Sequence, residues 1–272
     1  MFSVLSWNVE HFKGGTDRVR NVVKHVKDQN PDVFGLLEVE GADVLDLMEN
    51  HFPDYDFNIT DGPQAMEIIV AHRQGKFDQV VFTQKREFKA FNPDLRPGAL
   101  LTLRTGSVFS SLLFLHTDSG TEAPDFGNRQ EMFEKVVSLK KRFDHLAEDS
   151  NGRLIVLGDL NTMGLFYPTR RKAHLRVSAE EEIEALDVTG GKIKMSLLPK
   201  DFDQTFNNGT LTSNLDHVLA SDNLVFTQQG TTGNGEPAFV SVRGWRQLTG
   251  SARDKFINEI SDHNSLFVEV KS

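Results

Sequence analysis

"RLIVLGDLNT", residues Arg153–Thr162, sets an apolar run, Leu154 to Leu157, against an abrupt polar ending. A short apolar run bounded by a turn signal reads as a buried strand. On an extended chain, residues i and i+2 point to the same side. Asp159 and Asn161 are therefore expected to project together from the strand end. Two explanations compete at this level. The pair can solvate a turn, because an Asp-x-Asn sequence satisfies its own backbone, or it can serve a site.

The same pattern recurs along the chain. "FSVLSWNVE", "DVFGLLEVE", "SSLLFLHTD", "LDHVLAS" and "SLFVEV" are apolar runs with polar residues at one end. Val19, Val22, Val23 and Val26 mark one apolar helical face, closed by Pro31. Met132, Phe133, Val136, Val137 and Phe143 mark a second, in a segment expected to start near Asn128. "MEIIVAH", "FDQVVFT" and "ALLTLRT" follow one another without a helix between them, which predicts antiparallel pairing. The fold class is therefore α/β, with two packed sheets and helices outside. "SVLSWNVE" and "RLIVLGDLN" both end in a polar i, i+2 pair, Asn8/Glu10 and Asp159/Asn161, a hint of two related halves. "TQQGTTGNGEP", residues 227–237, reads as a mobile loop.

The chain has 272 residues, 38% hydrophobic and 25% charged, without proline-, glycine- or serine-rich linkers, and is expected to form one domain over 1–272. Cysteine is absent, which excludes disulfides and thiolate metal sites. The start, "MFSVLSWNVEHF", lacks the features of a signal peptide, and no run reaches the ~18 apolar residues of a membrane span. A cytoplasmic protein without a membrane anchor is expected. Thirty Lys and Arg against 39 Asp and Glu give a net charge of −9, which argues against a broad basic nucleic-acid surface but not against one basic cleft.

The polar strand ends are Asn8, Glu10, Glu38, His116, Asp159, Asn161, Asp216, Asp262 and His263. Carboxylates and amides without cysteine suit a hard cation such as Mg2+. Phosphate ester hydrolysis needs this set: a cation for developing charge, a base for water, and hydrogen-bond donors for the phosphoryl oxygens.

"SWNVEHF", "PDVFGLLEVE", "LHTD", "VLGDLNT", "LDHVLAS" and "ISDHNSLFVEV" stand in the order and approximate spacing of the endonuclease/exonuclease/phosphatase superfamily, and the chain resembles it from Phe2 to Val270. The resemblance implies a four-layer α/β sandwich, two packed mixed β-sheets flanked by helices, and Mg2+-dependent hydrolysis with Mn2+ as a substitute. It implies metal ligation by Glu38, Asn8, Glu10 and Asp262, with Glu10 a departure from the aspartate often found there. Asp159 would position the attacking water, and Asn161 would donate to the phosphoryl oxygen. His263 would be the catalytic imidazole, with Asp216 fixing its tautomer, and His116 would act on the leaving-group side. His217 points the other way along its strand and receives no role. Arg96 resembles an arginine used on substrate phosphate, where its fork suits two oxygens. Arg170 and Arg171, in "YPTRRKAHLR", follow "GDLNT" and are placed near substrate, against the alternative of a solvated charge run.

The expected partner is nucleic acid or another phosphoester substrate. The leading activity is a phosphodiesterase or nuclease on nucleic acid or a nucleic-acid end; the spacing of "LHTDSGTEAPDFGNRQEMFEKV" resembles the tyrosyl-DNA phosphodiesterase and deadenylase branches. The alternatives are hydrolysis of a lipid or inositol phosphate, and an inactive binding scaffold. A scaffold is expected to lose metal or imidazole residues, and these are present.

Overall fold

Alternation along each strand sorts side chains between an inter-sheet gap and outer helices. The computed structural model describes residues 1–61, 66–166 and 176–271. The first sheet contains β1 (Phe2–Phe12), β2 (Val33–Val39), β3 (Tyr55–Ile59) and β4 (Glu67–Arg73). The second contains β5 (Gln79–Lys85), β6 (Gly98–Thr105), β7 (Val108–His116) and β8 (Leu154–Asp159). The strand Ser265–Lys271 runs antiparallel to β1, and Asp216–Ser221 runs antiparallel to β8.

Both sheets share one neighbour pattern. The first runs Ser265–Lys271, β1, β2, β4, β3, and the second Asp216–Ser221, β8, β7, β6, β5. β1 is parallel to β2, and β8 is parallel to β7. The two strands with similar polar endings thus hold equivalent places, one per sheet.

The expected run of adjacent antiparallel strands breaks at one point. β5 pairs with β6, but β4 pairs with β2 and β3 in the other sheet. Burial explains the crossing. Ile68 faces the gap and Ile69 the helices, so β4 needs cover on both faces. β5 alternates exposed and half-buried positions, as an edge strand with one wet face does.

Helices α1 (Thr16–Gln29) and α2 (Ala42–His51) cover the first sheet, where Val19, Val22 and Val26 pack against Leu5, Trp7 and Phe34. Helices α3 (Ala123–Leu146) and α4 (Ala179–Gly191) cover the second, where Met132, Phe133 and Val136 meet Leu113, Leu154 and Val156. Each such fully buried Val or Leu contributes about 1.5–3 kcal/mol. Helix α5 (Gly250–Glu259) joins the first layer through Phe256 and Ile257. These four layers are the expected sandwich. α3 begins at Ala123, before the expected Asn128, because Pro124 enters the first turn and Glu122 with Asp125 forms a capping box. Residues 227–237, read as a loop, contribute to a small hairpin in which Gly230 faces Ala238 and Thr231 faces Pro237. Among the described residues, no helix is long and apolar enough to cross a membrane.

Between the sheets lie Val4 of β1, Leu112 and Phe114 of β7, Ile155 and Leu157 of β8, and Val218 and Ala220 of the Asp216–Ser221 strand. Continuing each period of two to the strand end reaches Asn8, His116, Asp159 and Asp216. Polar ends from both sheets therefore converge on one edge of the gap. Gly158 permits the close approach of β7 and β8: its φ is +142°, and a Cβ there would lie 2.0 Å from the Leu115 carbonyl oxygen.

Candidate active site

Glu38 reaches this edge by a different route. In β2, Val33 and Leu37 face the gap, whereas Phe34 and Leu36 face the helices. Unbroken alternation would send Glu38 outward with Phe34 and Leu36. Instead Glu38 has a left-handed φ of 63°, at a register irregularity between Leu36 and Val39. That conformation costs a non-glycine residue about 1 kcal/mol, and it aims the carboxylate at Asn8 and His116.

Asn8 ties the two sheets together. Its Nδ2 donates to Glu38 Oε1 and to Asp159 Oδ2, both at 2.9 Å, and its Oδ1 accepts from the Glu10 backbone N–H at 2.9 Å. The second Glu38 oxygen accepts from the His11 N–H at 3.0 Å. His116 Nε2 lies 3.5 Å from Glu38 Oε1 and 3.8 Å from Asp159 Oδ2.

His263 stands between two carboxylates. Its Nδ1 is 2.8 Å from Asp216 Oδ2, and its Nε2 is 3.7 Å from Asp159 Oδ2. The ring is fixed from behind: Ser261 Oγ donates to the Asn8 carbonyl at 2.7 Å and accepts from the His263 N–H at 2.9 Å. Both tryptophans of the chain hold this turn, Trp7 Nε1 donating to the His263 carbonyl at 3.0 Å and Trp245 Nε1 to that of Asp262 at 2.9 Å.

Asp159 serves a turn with one oxygen and the site with the other. Asp159 Oδ1 accepts from the Asn161 N–H at 3.0 Å, which is the turn. Asp159 Oδ2 faces Asn8 and His263, which is the site. Asn161 departs from the i, i+2 expectation, because the strand ends at Asp159 and Asn161 takes φ 44°. Its Nδ2 donates to the Thr117 carbonyl at 3.2 Å. Glu10 likewise has φ 45°, beyond the regular part of β1.

Burial and charge shape the titration of these groups. Burial raises the Asp159 pKa, His263 opposes the rise, and Asp216 adds to it. Burial disfavours the His263 imidazolium, but Asp216 and Asp159 outweigh it and the pKa is raised. Burial and then Arg96 hold His116 well below the usual range, so it is neutral. Glu38 is held low: burial works against its carboxylate, but hydrogen bonds from Asn8 and the His11 N–H and the charge of His263 prevail. Asp262 is pushed up to about 6 by burial, with His263 opposing and Glu10 and Glu38 adding repulsion.

A hard cation fits this chemistry. Glu38, His116 and Asp159 offer ligand atoms within 4.8 Å of one another. Asp262 Oδ1 is buried with no hydrogen-bond partner among the described residues, beside the like charges of Glu10 and Glu38. Crowded carboxylates with an orphaned oxygen are what a divalent ion relieves.

The expected residues fall into three groups. Asn8, Glu38, His116, Asp159, Asn161, Asp216, Asp262 and His263 gather at one edge, with Glu10 close enough to act on Asp262. Arg96 borders them: its charge depresses His116, its Nη2 meets Met66 Sδ at 3.3 Å, and its buried Nε has no partner among the described residues. Arg170 and Arg171 lie outside the described residues. His217 points away, as expected, with Nε2 2.8 Å from Thr162 Oγ1 beneath the Asn161 loop.

Several supporting residues escaped the sequence reading. Arg18 donates to the carbonyls of Val9, Glu10, His11 and Ile260, clamping the left-handed end of β1 to the segment before Asp262. Lys200 is buried beneath Asp216, donating to its carbonyl at 2.6 Å, and burial lowers its pKa to about 8. Arg129 and Glu182, both buried, pair at 2.9 and 3.1 Å. Arg129 also donates to the carbonyls of Gly120 at 2.7 Å and Gly164 at 2.8 Å, on the loops after Thr117 and Asn161. Arginines that act on backbone carbonyls carry no local signature, because a carbonyl belongs to every residue type.

Solved structures with this fold include truncated Caenorhabditis elegans TDP2, 16% identical, covering 100% of this chain and 98% of that one, TM-score 0.64. D. rerio TDP2 complexed with a single-strand DNA product is 14% identical, covering 100% and 99%, TM-score 0.60. A mannosyl-6-phosphatase of Bacteroides thetaiotaomicron is 18% identical, covering 100% of both chains, TM-score 0.63. A comparison with curated proteins gives no match. The model of the Endonuclease/Exonuclease/phosphatase family matches residues 5–263. The chain belongs to the Endonuclease/Exonuclease/phosphatase family and is a metal-dependent phosphoester hydrolase.

Proposed function

We propose that the protein hydrolyses a phosphodiester in nucleic acid or at a nucleic-acid end, with Mg2+ as its cation and Mn2+ as a substitute. The observation that carries this reading is the buried line Asp216–His263–Asp159 set beside Glu38 and Asn8, with the Arg96 Nε, without a partner among the described residues, at its border. Glu38, Glu10 and Asp262 would hold the ion, and Asn8 contributes by fixing Glu38 and Asp159. When bound, the ion supplies charge neutralisation for the phosphoryl and leaving oxygens.

The remaining roles belong to the chain. Asp159 Oδ2 orients the incoming water and is in place to take its proton. His263, its tautomer set by Asp216, directs Nε2 to the same point and stabilises charge on the phosphoryl group. Asn161 Nδ2 turns from the Thr117 carbonyl to a phosphoryl oxygen as charge develops. His116, neutral in this setting, faces the leaving oxygen, and Arg96 grips a substrate phosphate. Likeness to a TDP2 that holds a single-strand DNA product supports the choice of nucleic acid.

The test is one matched panel with Mg2+ and with EDTA: single- and double-stranded DNA, abasic and 5′-tyrosyl DNA, RNA, an inositol polyphosphate, sphingomyelin and mannose 6-phosphate. Mg2+-dependent cleavage of a nucleic-acid member is expected. Turnover confined to the lipid, inositol or sugar phosphates would overturn the substrate class.

A further inference from the structure

The segment that carries Arg96 presents a second feature on its outer side. From Arg86 to Leu95 the chain makes a short 3-10 turn, Arg86–Lys89, and a tight loop in which Asn92 N–H donates to the Lys89 carbonyl at 2.7 Å. Phe88 and Leu95 are buried in the core beneath α3 and fix both ends of the loop. Between them Ala90 and Phe91 both take left-handed φ values, 46° and 56°. Sustained left-handed backbone at two side-chain-bearing residues costs free energy that the loop must recover elsewhere. Its visible consequence is that Phe91 is turned out of the core.

Phe91 is 92% exposed, against 56% for Phe109 and 48% for Phe166, the other exposed phenylalanines among the described residues. Lys135 of α3 lies over its ring at 5.2 Å. Arg86, Glu87, Lys89, Asn92 and Pro93 complete a surface cleft of about 340 Å³ with Phe91 and Lys135. Glu87 is engaged by Lys85 at 2.6 Å and Lys135 pairs with Glu131 at 3.3 Å, whereas among the described residues no carboxylate lies within ion-pair distance of Arg86 or Lys89. A chain of net charge −9 thus gathers cations around one exposed aromatic face, a few residues before Arg96.

We propose that this cleft is a subsite for single-stranded nucleic acid, in which one base stacks on Phe91 and the flanking phosphates meet Arg86, Lys89 and Lys135. The proposal rests on the nucleic-acid reading of the active site and adds where a strand leaves it. Every base offers a π-face and every nucleotide a charge, so an aromatic ring among cations binds a strand without reading its sequence. The surrounding positive groups make the binding salt-dependent through counterion release. An apolar peptide would use the ring but leave the cations unmatched.

Binding of a fluorescein-labelled dT10 strand, followed by anisotropy at several salt concentrations in the presence of Ca2+ to suppress turnover, tests the subsite. Phe91→Ala should raise Kd by about 5- to 150-fold, the range for loss of one base stack. Lys89→Gln should weaken binding and make the slope of log K against log salt shallower by about 0.7, the value for one phosphate contact on a single strand. Phe91→Trp should retain or tighten binding, an outcome that a merely structural role for the ring does not give. Wild-type binding and cleavage of the strand with Kd unchanged in Phe91→Ala and Lys89→Gln would overturn the subsite and leave the active-site reading standing. Wild-type protein that neither binds nor cleaves dT10 or the nucleic acids of the panel, yet turns over a sugar or lipid phosphate, would overturn both.

Discussion

Replacing Arg129 by methionine tests whether a buried ion pair governs both stability and the loops of the active site. In the native structure Glu182 is 1% exposed and accepts from Arg129 Nε and Nη2, from the Gly164 N–H at 2.7 Å and from Gln130 Nε2 at 3.4 Å. Arg129→Met removes the two guanidinium donors and leaves a charge in the interior. It also strips a donor from the carbonyls of Gly120 and Gly164. Breaking a buried pair from one side costs about 3–5 kcal/mol. A loss near 4 kcal/mol lowers Tm by roughly 8–16 °C in a chain of this size. Urea denaturation should show the loss as a lower midpoint with an unchanged m-value. The double variant Arg129→Met/Glu182→Leu should recover about 2 kcal/mol of it, because no uncompensated charge remains. Activity measured well below the new Tm should still fall about tenfold, since Gly120 and Gly164 anchor the loops after Thr117 and Asn161 and small displacements there are costly. A single-variant loss under about 1 kcal/mol, or a double variant no more stable than the single, would refute the reasoning.

Two further predictions concern separate groups. Glu38→Ala should weaken Mg2+ binding at least about tenfold in calorimetry, while His263→Ala should spare binding and lower kcat by about a thousandfold or more; full turnover in either variant removes that residue from its role. His25 packs 4.4 Å from Trp7 and meets Ser265 Oγ at 2.9 Å, and burial lowers its pKa to about 4. The unfolded chain takes up a proton near pH 6.5 and the folded one only near pH 4, so stability is complete above pH 6.5 and is lost as pH falls through that window. The contribution is about 2 kcal/mol once partial exposure is allowed for. His25→Gln keeps a donor for Ser265 and should make the urea midpoint less pH-dependent between 6.5 and 4; equal pH slopes would remove His25 as the cause.

Much of the site was legible along the chain because strand periodicity carries information to strand ends. Once Val4 and Leu157 are assigned to the inter-sheet face, Asn8 and Asp159 must face it too, and Asp216 and His116 follow by the same count. The oxygen-rich, cysteine-free donor set indicated a hard cation in the same way, from side-chain chemistry alone. The periodicity argument fails where the backbone leaves the extended region. Glu38, Glu10 and Asn161 all have positive φ, so counting alone assigns Glu38 to the wrong face and wrongly makes Asn161 a strand neighbour of Asp159.

The supporting network lay beyond reach for a different reason. Arg18, Lys200 and the Arg129–Glu182 pair act on backbone carbonyls of segments that folding brings beside them, and a carbonyl has no residue identity to read. The outward turn of Phe91 is of the same kind, since phenylalanine in a short loop is expected inside until the anchoring of Phe88 and Leu95 excludes it. Local sequence determined the strands, their polar endings and the chemical kind of the site, because these depend on side-chain type and short-range periodicity. The tertiary structure alone decided which carboxylates meet Asn8, His116 and His263, because that depends on distances across the gap between two sheets.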